Sequence, residues 1–374
     1  MLEFKMHTNL VFADTFKEFV ENEAISQDDF IVTNEFLYQK YIQPLRLSCG
    51  TAFLEAYAKG EPTTAMVDQI RADLPKGIKR MIAIGGGAVM DTAKMLSLHT
   101  SSDKTEALFD LGPDAEKPTL QFDVYAVPTT CGTGSEVTNA CAVELVSLHT
   151  KRGLNNDLMF VKKAVLIPEL LYDLPYKFFA TSSIDALIHA VESYLSPKAT
   201  PISELFSESA IASIIEGYRY VVENGPEKWV DKAKEFQIAS TYAGLAFCSA
   251  GCAAVHALSY PLGGGYHIPH GEANQLVFAA TFRKYKEKKP VGKLNRLEAL
   301  LGLLLDVPAS EALEAAFTLF DAVQPRKPLR EFGISDSEFQ GFAEGVMAGQ
   351  TRLLNNNYVP LTVEDMVEIY QSVY

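Results

Sequence analysis

The sequence predicts an α/β protein in two parts, an N-terminal domain built on a mostly parallel β-sheet and a C-terminal domain that is all helical. Short apolar runs alternate with helical patterns up to about residue 170, as a parallel sheet covered by helices requires. Strand patterns stop after Leu174 and Pro175, where long stretches of helical periodicity begin. With 374 residues, 48% of them hydrophobic, the chain can bury the cores of two domains.

The predicted elements follow from these patterns in chain order. The strands are short apolar runs bounded by turn residues, at residues 30–33, 52–57, 81–84, 124–127 and 160–167. The helices of the second part are amphipathic stretches at residues 184–195, 204–223 and 229–247. We place the domain boundary near residue 178, which gives domains 1–178 and 179–374.

Three consecutive glycines, Gly85, Gly86 and Gly87, lie between the strand at 81–84 and a helix that starts at Ala88. Glycine lets the backbone approach a ligand closely, and the helix start offers free N–H groups and the positive end of its dipole. The pattern therefore indicates a diphosphate site. A plain tight turn is the alternative, because the run is not the G-x-G-x-x-G fingerprint.

A second loop with similar chemistry follows the strand at 124–127. After Pro128, residues 129–135 are small or carry hydroxyl groups, so the loop can donate several hydrogen bonds to a nucleotide. Such loops are common, so this one alone does not indicate a nucleotide site; it does so only together with the other motifs.

Four of the seven histidines fall, with one aspartate, in two short blocks, Asp185-x3-His189 and His256…His267-x-x-His270. On a helix the i, i+4 spacing places the Asp185 and His189 side chains on one face. We expect a glycine-rich reversal at residues 263–265 to fold the second block back on itself. One carboxylate with three imidazoles suits Fe(II), Zn(II) or Mn(II). The alternative is a set of hydrogen-bonded core histidines.

Two nucleotide-type loops upstream of a metal site indicate a dehydrogenase that binds a nicotinamide dinucleotide and activates an alcohol on a cation. The blocks GGGAVMDTAK, PTTCGTGSEVT, SSIDALIHAVESY and HALSYPLGGGYHIPHGEAN resemble, in order, the signature blocks of the iron-containing (group III) alcohol dehydrogenase family. The resemblance covers essentially the whole chain. It implies a Rossmann-like N-terminal domain, a C-terminal all-helical metal-binding domain, and NAD and Fe(II) or Zn(II) as cofactors.

The resemblance also implies roles for particular residues. The implied metal ligands are Asp185, His189, His256 and His270. The implied cofactor-binding residues are Asn34, Gly86, Gly87, Ala88 and Asp91, then Thr129, Thr130, Thr133 and Thr138 at the nicotinamide half, and Lys151 near the nicotinamide ribose.

At three positions the chain departs from the family pattern. Ala88 replaces a serine, so the backbone N–H must serve the phosphate. Tyr260 stands where many members have the relay histidine, and we assign the proton relay to His267, whose alternative role is a structural hydrogen bond. Asn34 replaces an aspartate that accepts the ribose 2′-OH; asparagine still accepts, so we expect NAD rather than NADP.

Shorter segments point to a substrate. TNEFLY, LPYKFFATSSIDALIHA, YHIPHGEAN, RKPLRE and RLLNNNY are similar to members that interconvert succinate semialdehyde and 4-hydroxybutyrate. Arg352, Lys177 and the amides of Asn355, Asn356 and Asn357 are candidate anchors for the substrate carboxylate, and the alternative is that they are plain surface residues. The alternative substrate is another primary alcohol or diol, of the butanol, 1,3-propanediol or lactaldehyde type.

Composition limits the partners. A net charge of −14 argues against nucleic acid, since phosphate contacts need clustered lysine and arginine. The five cysteines show no paired framework, so we expect reduced thiols and a cytoplasmic setting. The segment MLEFKMHTNL has no apolar signal region, and no stretch reaches the roughly 18 apolar residues of a membrane span. We expect a small aldehyde or alcohol as partner, and a homodimer or higher homo-oligomer.

Other classes share parts of these patterns. An enzyme of the dehydroquinate synthase or glycerol dehydrogenase type has a similar sheet and metal site, but the spacing of DALIHA and YHIPHGEAN favours the alcohol dehydrogenase side. A metal-dependent hydrolase would not bind NADH. A non-enzymatic binding protein would show no turnover with added metal.

Overall fold

The computed structural model describes residues 2–57, 62–102, 104–110, 115–148 and 150–374, without the side chains of Leu148, Thr150 and Lys151. The chain forms two compact units, Met6–Leu174 in the first and Pro175–Tyr374 with Met1–Lys5 in the second.

The first unit contains the strands. They are β1 (Asn9–Phe12), β2 (Asp29–Thr33), β3 (Gly50–Phe53), β4 (Arg80–Gly85), β5 (Leu98–His99), β6 (Thr119–Leu120), β7 (Asp123–Pro128), β8 (Ala140–Leu145), β9 (Thr150–Asn155) and β10 (Lys163–Leu166). Its α-helices are α1 (Phe16–Glu23), α2 (Glu35–Leu37), α3 (Thr64–Asp73) and α4 (Gly87–Ser97).

Six strands form one parallel sheet in the order β1-β10-β7-β4-β2-β3. The inner strands are apolar because helices cover the sheet; Ile31 of β2 pairs in register with Ile82 of β4, and Ile84 with Val127 of β7. These residues pack with Phe16 of α1 in a buried core. Two antiparallel ribbons, β5 with β6 and β8 with β9, lie outside this sheet.

The strand order reverses between β2 and β4. From β2 the chain runs outward to the edge strand β3, and it then returns to place β4 on the other side of β2. Ligands of open α/β sheets bind outside the carboxyl ends of the strands at such a switch point. Asn34 follows β2 and the glycine turn follows β4, so both candidate cofactor segments leave the sheet here.

The predicted α/β class is confirmed, and each predicted strand overlaps an observed one. The strand predicted at 52–57 ends at Phe53, because residues Leu54–Ala56 form a 3-10 turn. The prediction missed β1, β8 and β9, and also the two-residue strands β5 and β6. β1 has only four residues and lies at the sheet edge with both ends exposed, so it lacks the apolar run of an inner strand.

In the part of the second unit that the structure describes, all regular secondary structure is helical. Its helices are α5 (Tyr176–Leu195), α6 (Pro201–Asn224), α7 (Ala233–Ala250), α8 (Ala254–Tyr266), α9 (His270–Lys288), α10 (Lys293–Leu305), α11 (Ala312–Val323), α12 (Phe339–Gly349), α13 (Thr351–Leu354) and α14 (Val363–Ser372). α5 packs against α6, α7 and α9 and is almost wholly buried after its second turn.

The glycine-rich reversal was predicted at the wrong place. Residues 263–265 continue α8, because Leu258 and Leu262 are fully buried and hold the helix through its weak glycine positions. The chain turns instead at His267, whose φ of 54° is left-handed, and at Pro269, which caps α9.

Among the described residues, no single helix has both the length and the apolar composition to cross a bilayer. Taken together, Pro226–Ala250 and Ala254–Tyr266 meet those criteria, but they are bent by 105°.

Candidate functional site

Four side chains of the second unit converge on one point. Asp185 and His189 stand one turn apart on α5, His256 lies in the first turn of α8, and His270 begins α9. One ligand atom from each lies within 4.8 Å of the others. Asp185 Oδ1 is 3.9 Å from His189 Nε2 and 3.6 Å from the Nε2 atoms of His256 and His270.

The donor set suits a divalent cation. Asp185, His189 and His256 are buried, while the His270 side chain is 33% exposed, so the cluster opens on that side. His256 Nε2 is buried and has no hydrogen-bond partner, which is costly unless another group occupies that position. A carboxylate with three imidazoles is a set that Fe(II) and Zn(II) accept. The residues therefore fit a metal.

The electrostatics agree with this assignment. Burial acts to raise the pKa of Asp185, but the neighbouring imidazoles of His189, His270 and His256 outweigh it and hold that pKa well below its usual range. Burial acts to lower the pKa of His189, yet the Asp185 carboxylate raises it above the ordinary value. The cluster therefore attracts positive charge, and a metal must compete there with protons.

Sequence reasoning missed two polar residues that contact this cluster. Asn274, one turn after His270 on α9, donates from Nδ2 to Asp185 Oδ1 at 2.9 Å. Glu192, three residues after His189 on α5, has Oε2 at 2.6 Å from His256 Nδ1. Their helical spacing from the ligands was the available signal, since i+3 and i+4 positions share a face.

The two candidates for the proton relay have different surroundings. Tyr260 lies one turn after His256 on α8, and its half-buried ring is centred 6.4 Å from the His270 ring. His267 is exposed and closes α8 in a left-handed conformation. The structure thus places Tyr260 beside a candidate ligand, and the relay assignment to His267 stays a prediction.

In the first unit the two predicted loops meet. Gly86 is the N-cap of α4 and makes no side-chain cap hydrogen bond, so first-turn N–H groups remain for an anion. A Cβ on Gly87 would lie 2.7 Å from Thr133 Cγ2, and one on Gly86 would lie 3.2 Å from Thr130 Cγ2. Glycine is therefore needed here for the loops to pack together. Ala88 follows in the first turn and is half-buried.

Asp91 and Thr138 help to hold the second loop in place. Asp91 Oδ1 accepts from Ser135 Oγ at 2.6 Å, and Asp91 Oδ2 accepts from the Ala142 N–H at 2.9 Å. The fully buried Lys94 donates to Thr138 Oγ1 at 3.2 Å and to Ser135 Oγ at 2.8 Å. Lys94 was not predicted as a site residue. Direct contact of Asp91 and Thr138 with a cofactor stays a prediction.

The remaining cofactor candidates lie at strand ends. Thr129 is buried and donates its N–H to the Gly85 carbonyl at 3.1 Å. Asn34 is the N-cap residue of α2 but makes no side-chain cap hydrogen bond; its Nδ2 donates to Glu55 Oε1 at 2.7 Å, which leaves its own Oδ1 as an acceptor. Lys151 is in β9, but its side chain lies outside the described part of the chain.

The parallel sheet with its glycine turn and the helical unit with its cation-binding cluster are features of a metal-dependent dehydrogenase. Residues 11–168 match the family described as "Iron-containing alcohol dehydrogenase", and residues 179–374 match "Fe-containing alcohol dehydrogenase family, C-terminal". The chain belongs to the iron-containing alcohol dehydrogenase family, as the sequence predicted.

Among curated relatives, the chain is 46% identical over 362 residues to 4-hydroxybutyrate dehydrogenase of Clostridium kluyveri, covering 96% of each chain. It is 34% identical over 322 residues to long-chain-alcohol dehydrogenase 1 of Geobacillus thermodenitrificans, covering 84% of this chain and 78% of the relative.

Among solved structures, sulfoacetaldehyde reductase from Bifidobacterium kashiwanohense, in complex with NAD+, matches with a TM-score of 0.85 and 22% identity. That match covers 100% of this chain and 98% of the reductase. An archaeal alcohol dehydrogenase from a Red Sea brine pool matches over the whole of both chains with a TM-score of 0.84 and 23% identity. At this identity the likeness shows the shared fold.

Proposed function

We propose that this protein is a metal-dependent, NAD(H)-linked alcohol dehydrogenase that interconverts succinate semialdehyde and 4-hydroxybutyrate. The observation that carries the proposal is the buried set of one carboxylate and three imidazoles in a chain 46% identical to a 4-hydroxybutyrate dehydrogenase. In this proposal residues 1–178 bind the dinucleotide, and residues 179–374 bind the metal and the substrate.

Asp185, His189, His256 and His270 would hold Fe(II) or Zn(II). A divalent cation supplies a Lewis acid that stabilises negative charge developing on the substrate oxygen. The protein's part is to fix the four donors on three helices and to keep three of them away from water. Burial strengthens the electrostatic interactions of these groups, and the exposed side of His270 leaves a way in for a small molecule.

The first unit would bind NAD(H) at its switch point. No capping side chain occupies the N–H groups at the start of α4, so they are available to the diphosphate of the cofactor. Thr129, Thr130, Thr133 and Thr138 would serve the nicotinamide half, and Lys151 the adjoining ribose. The Oδ1 atom of Asn34 would accept from the ribose 2′-OH, and the carboxylate of Glu55 beside it disfavours a 2′-phosphate, which supports NAD over NADP.

A proton must reach the alkoxide when the aldehyde is reduced. An imidazole such as that of His267 is the usual proton shuttle, whereas the ring of Tyr260 is centred 6.4 Å from the ring of His270. We retain His267 as the proposed relay with Tyr260 as its alternative, and the two substitutions discussed below distinguish them.

For the substrate carboxylate we propose Arg352 as the anchor, with Lys177 as the second candidate. Arg352 is exposed on α13, which packs against α8, the helix that carries His256 and Tyr260. The neighbouring Asn356 is buried, and its Nδ2 donates to the Cys252 carbonyl at 2.8 Å, so this segment is fixed to the loop that precedes α8. Lys177 is exposed in the first turn of α5.

We further propose that the enzyme acts in the cytoplasm as a homodimer or higher homo-oligomer on a small aldehyde or alcohol, without a nucleic-acid or membrane partner. The net charge of −14 supports the exclusion of nucleic acid.

The test is an aldehyde panel assayed with NADH and NADPH, with and without added Fe(II) or Zn(II). Succinate semialdehyde is expected to be reduced at least ten times more efficiently than butanal, a preference that needs only about 1.4 kcal/mol. Equal efficiencies on both would reject the carboxylate assignment. The 34% identity to a long-chain-alcohol dehydrogenase makes a simple primary alcohol the second candidate.

A further inference from the structure

The buried carboxylate of Glu192 makes three hydrogen bonds. It is 2% exposed and lies on α5, on the same helix as Asp185 and His189. Its Oε1 accepts from the Val255 N–H at 2.7 Å, and its Oε2 accepts from the Ala253 N–H at 2.9 Å. Its Oε2 also lies 2.6 Å from His256 Nδ1.

These contacts determine which nitrogen of His256 carries the proton. The two backbone N–H groups can only donate, so the Glu192 carboxyl group acts as an acceptor towards them. The same acceptor at His256 requires a hydrogen on Nδ1. In the neutral imidazole Nε2 then has a free lone pair, and this is the buried nitrogen that lacks a hydrogen-bond partner and lies 3.6 Å from Asp185 Oδ1.

We propose that Glu192 is a positioning residue that fixes the tautomer and ring orientation of His256, so that Nε2 is presented to the cation. The inference rests on the metal site of the proposed function. A carboxylate on the far nitrogen of a metal-binding imidazole also raises the basicity of the ligand, and losing such a partner typically weakens metal binding about 10- to 100-fold.

The same carboxylate orients the helix that carries His256. Ala253, the N-cap of α8, offers no side-chain cap, and Glu192 from α5 accepts the N–H groups of Ala253 and Val255 in its place. Negative charge is favourable at a helix start. One side chain therefore sets both the position of the α8 backbone and the rotation of the imidazole ring.

Two other roles for Glu192 would give different results in a measurement of metal affinity. If Glu192 only caps α8, its loss destabilises the protein without any dependence on His256. If Glu192 is itself a metal ligand, it would act with Cys252, since these two and His256 also offer ligand atoms within 4.8 Å of one another. Three donors already occupy the Glu192 oxygens, which argues against that second role.

The test compares wild type with Glu192→Gln, in which the amide cannot accept from all three donors. The measurement is the dissociation constant for Zn²⁺ by chelator competition, together with the absorption spectrum of the Co²⁺ form. We expect Zn²⁺ to bind about 10- to 100-fold more weakly. In a His256→Ala background the same substitution should have no further effect. Ser193→Ala is the control, because Ser193 is the adjacent buried residue and its hydroxyl contacts Ser207 Oγ at 3.0 Å; it should leave the affinity unchanged.

An unchanged Zn²⁺ affinity in Glu192→Gln, or an equal loss with and without His256, would overturn the proposal. A sulfur-to-cobalt charge-transfer band in the wild-type protein would also overturn it, since that band reports a Cys252 ligand. If Glu192→Gln does not fold, Glu192→Asp gives the same comparison, because its carboxylate is shorter by one methylene, and an unchanged affinity there decides against the inference. Failure of wild type to bind any divalent metal would remove the proposed function as well.

Discussion

Replacing Asp185 with asparagine removes the one carboxylate of the candidate metal site and preserves its size. Asp185 Oδ1 lies 3.6 to 3.9 Å from three imidazole nitrogens, so it is the central negative charge of the cluster. At about 4 Å and an effective dielectric constant near 20, one pair of unit charges interacts by roughly 4 kcal/mol, or about a thousandfold in an equilibrium constant.

The substitution also removes the desolvation cost of a buried carboxylate, which offsets part of this loss. We therefore expect Asp185→Asn to bind Zn²⁺ roughly 10²- to 10³-fold more weakly. Chelator competition on the purified variant measures the affinity, and reductase activity at saturating NADH should fall in parallel. The dissociation constant for NADH, followed by fluorescence, is the control and should not change. A Zn²⁺ affinity within threefold of wild type would refute the assignment of Asp185.

Three further results are expected. The pKa of His189 is raised above its ordinary value, so protons compete with the metal at this residue up to a higher pH than at a free imidazole. The apparent Zn²⁺ affinity should therefore fall as the pH is lowered, by up to about tenfold per pH unit for each proton displaced. An affinity that does not change between pH 6 and 8 would contradict this. Gly87→Val should weaken NADH binding at least tenfold with Zn²⁺ affinity unchanged, because even a Cβ there lies 2.7 Å from Thr133 Cγ2; equal NADH affinity would exclude the glycine turn from the cofactor site. His267→Gln should reduce kcat about 10²-fold or more with Zn²⁺ affinity unchanged, whereas Tyr260→Phe should leave kcat nearly unchanged; the reverse pattern would make Tyr260 the relay.

The main features of the fold could be predicted because the inner strands are short apolar runs separated by clear turns. The strand β1 could not be predicted, since this four-residue edge strand is stabilised by its pairing with β10 and has no apolar run of its own. The glycines at 263–265 misled the prediction because glycine taken alone favours a turn. In the structure they stay helical, since the helix that contains them is held in place by its buried leucines.

The candidate ligands were predictable because their residue types and spacings are distinctive. The residues that support them were not, since Glu192, Asn274 and Lys94 have ordinary surroundings in the sequence and gain their roles only through tertiary contacts. Glu192 reaches the start of α8 from a position 61 residues away along the chain, and Asn274 reaches Asp185 across 89 residues. Helical spacing from a known ligand limits the number of candidate supporting residues, but only the fold shows which of them faces the site.

The most direct test is anomalous diffraction from crystals of the protein purified with Fe²⁺ or Zn²⁺ and measured at the absorption edge of that metal. One strong peak is expected within bonding distance of Asp185, His189, His256 and His270. A metal-loaded protein with its peak elsewhere, or with none among these four side chains, would contradict it.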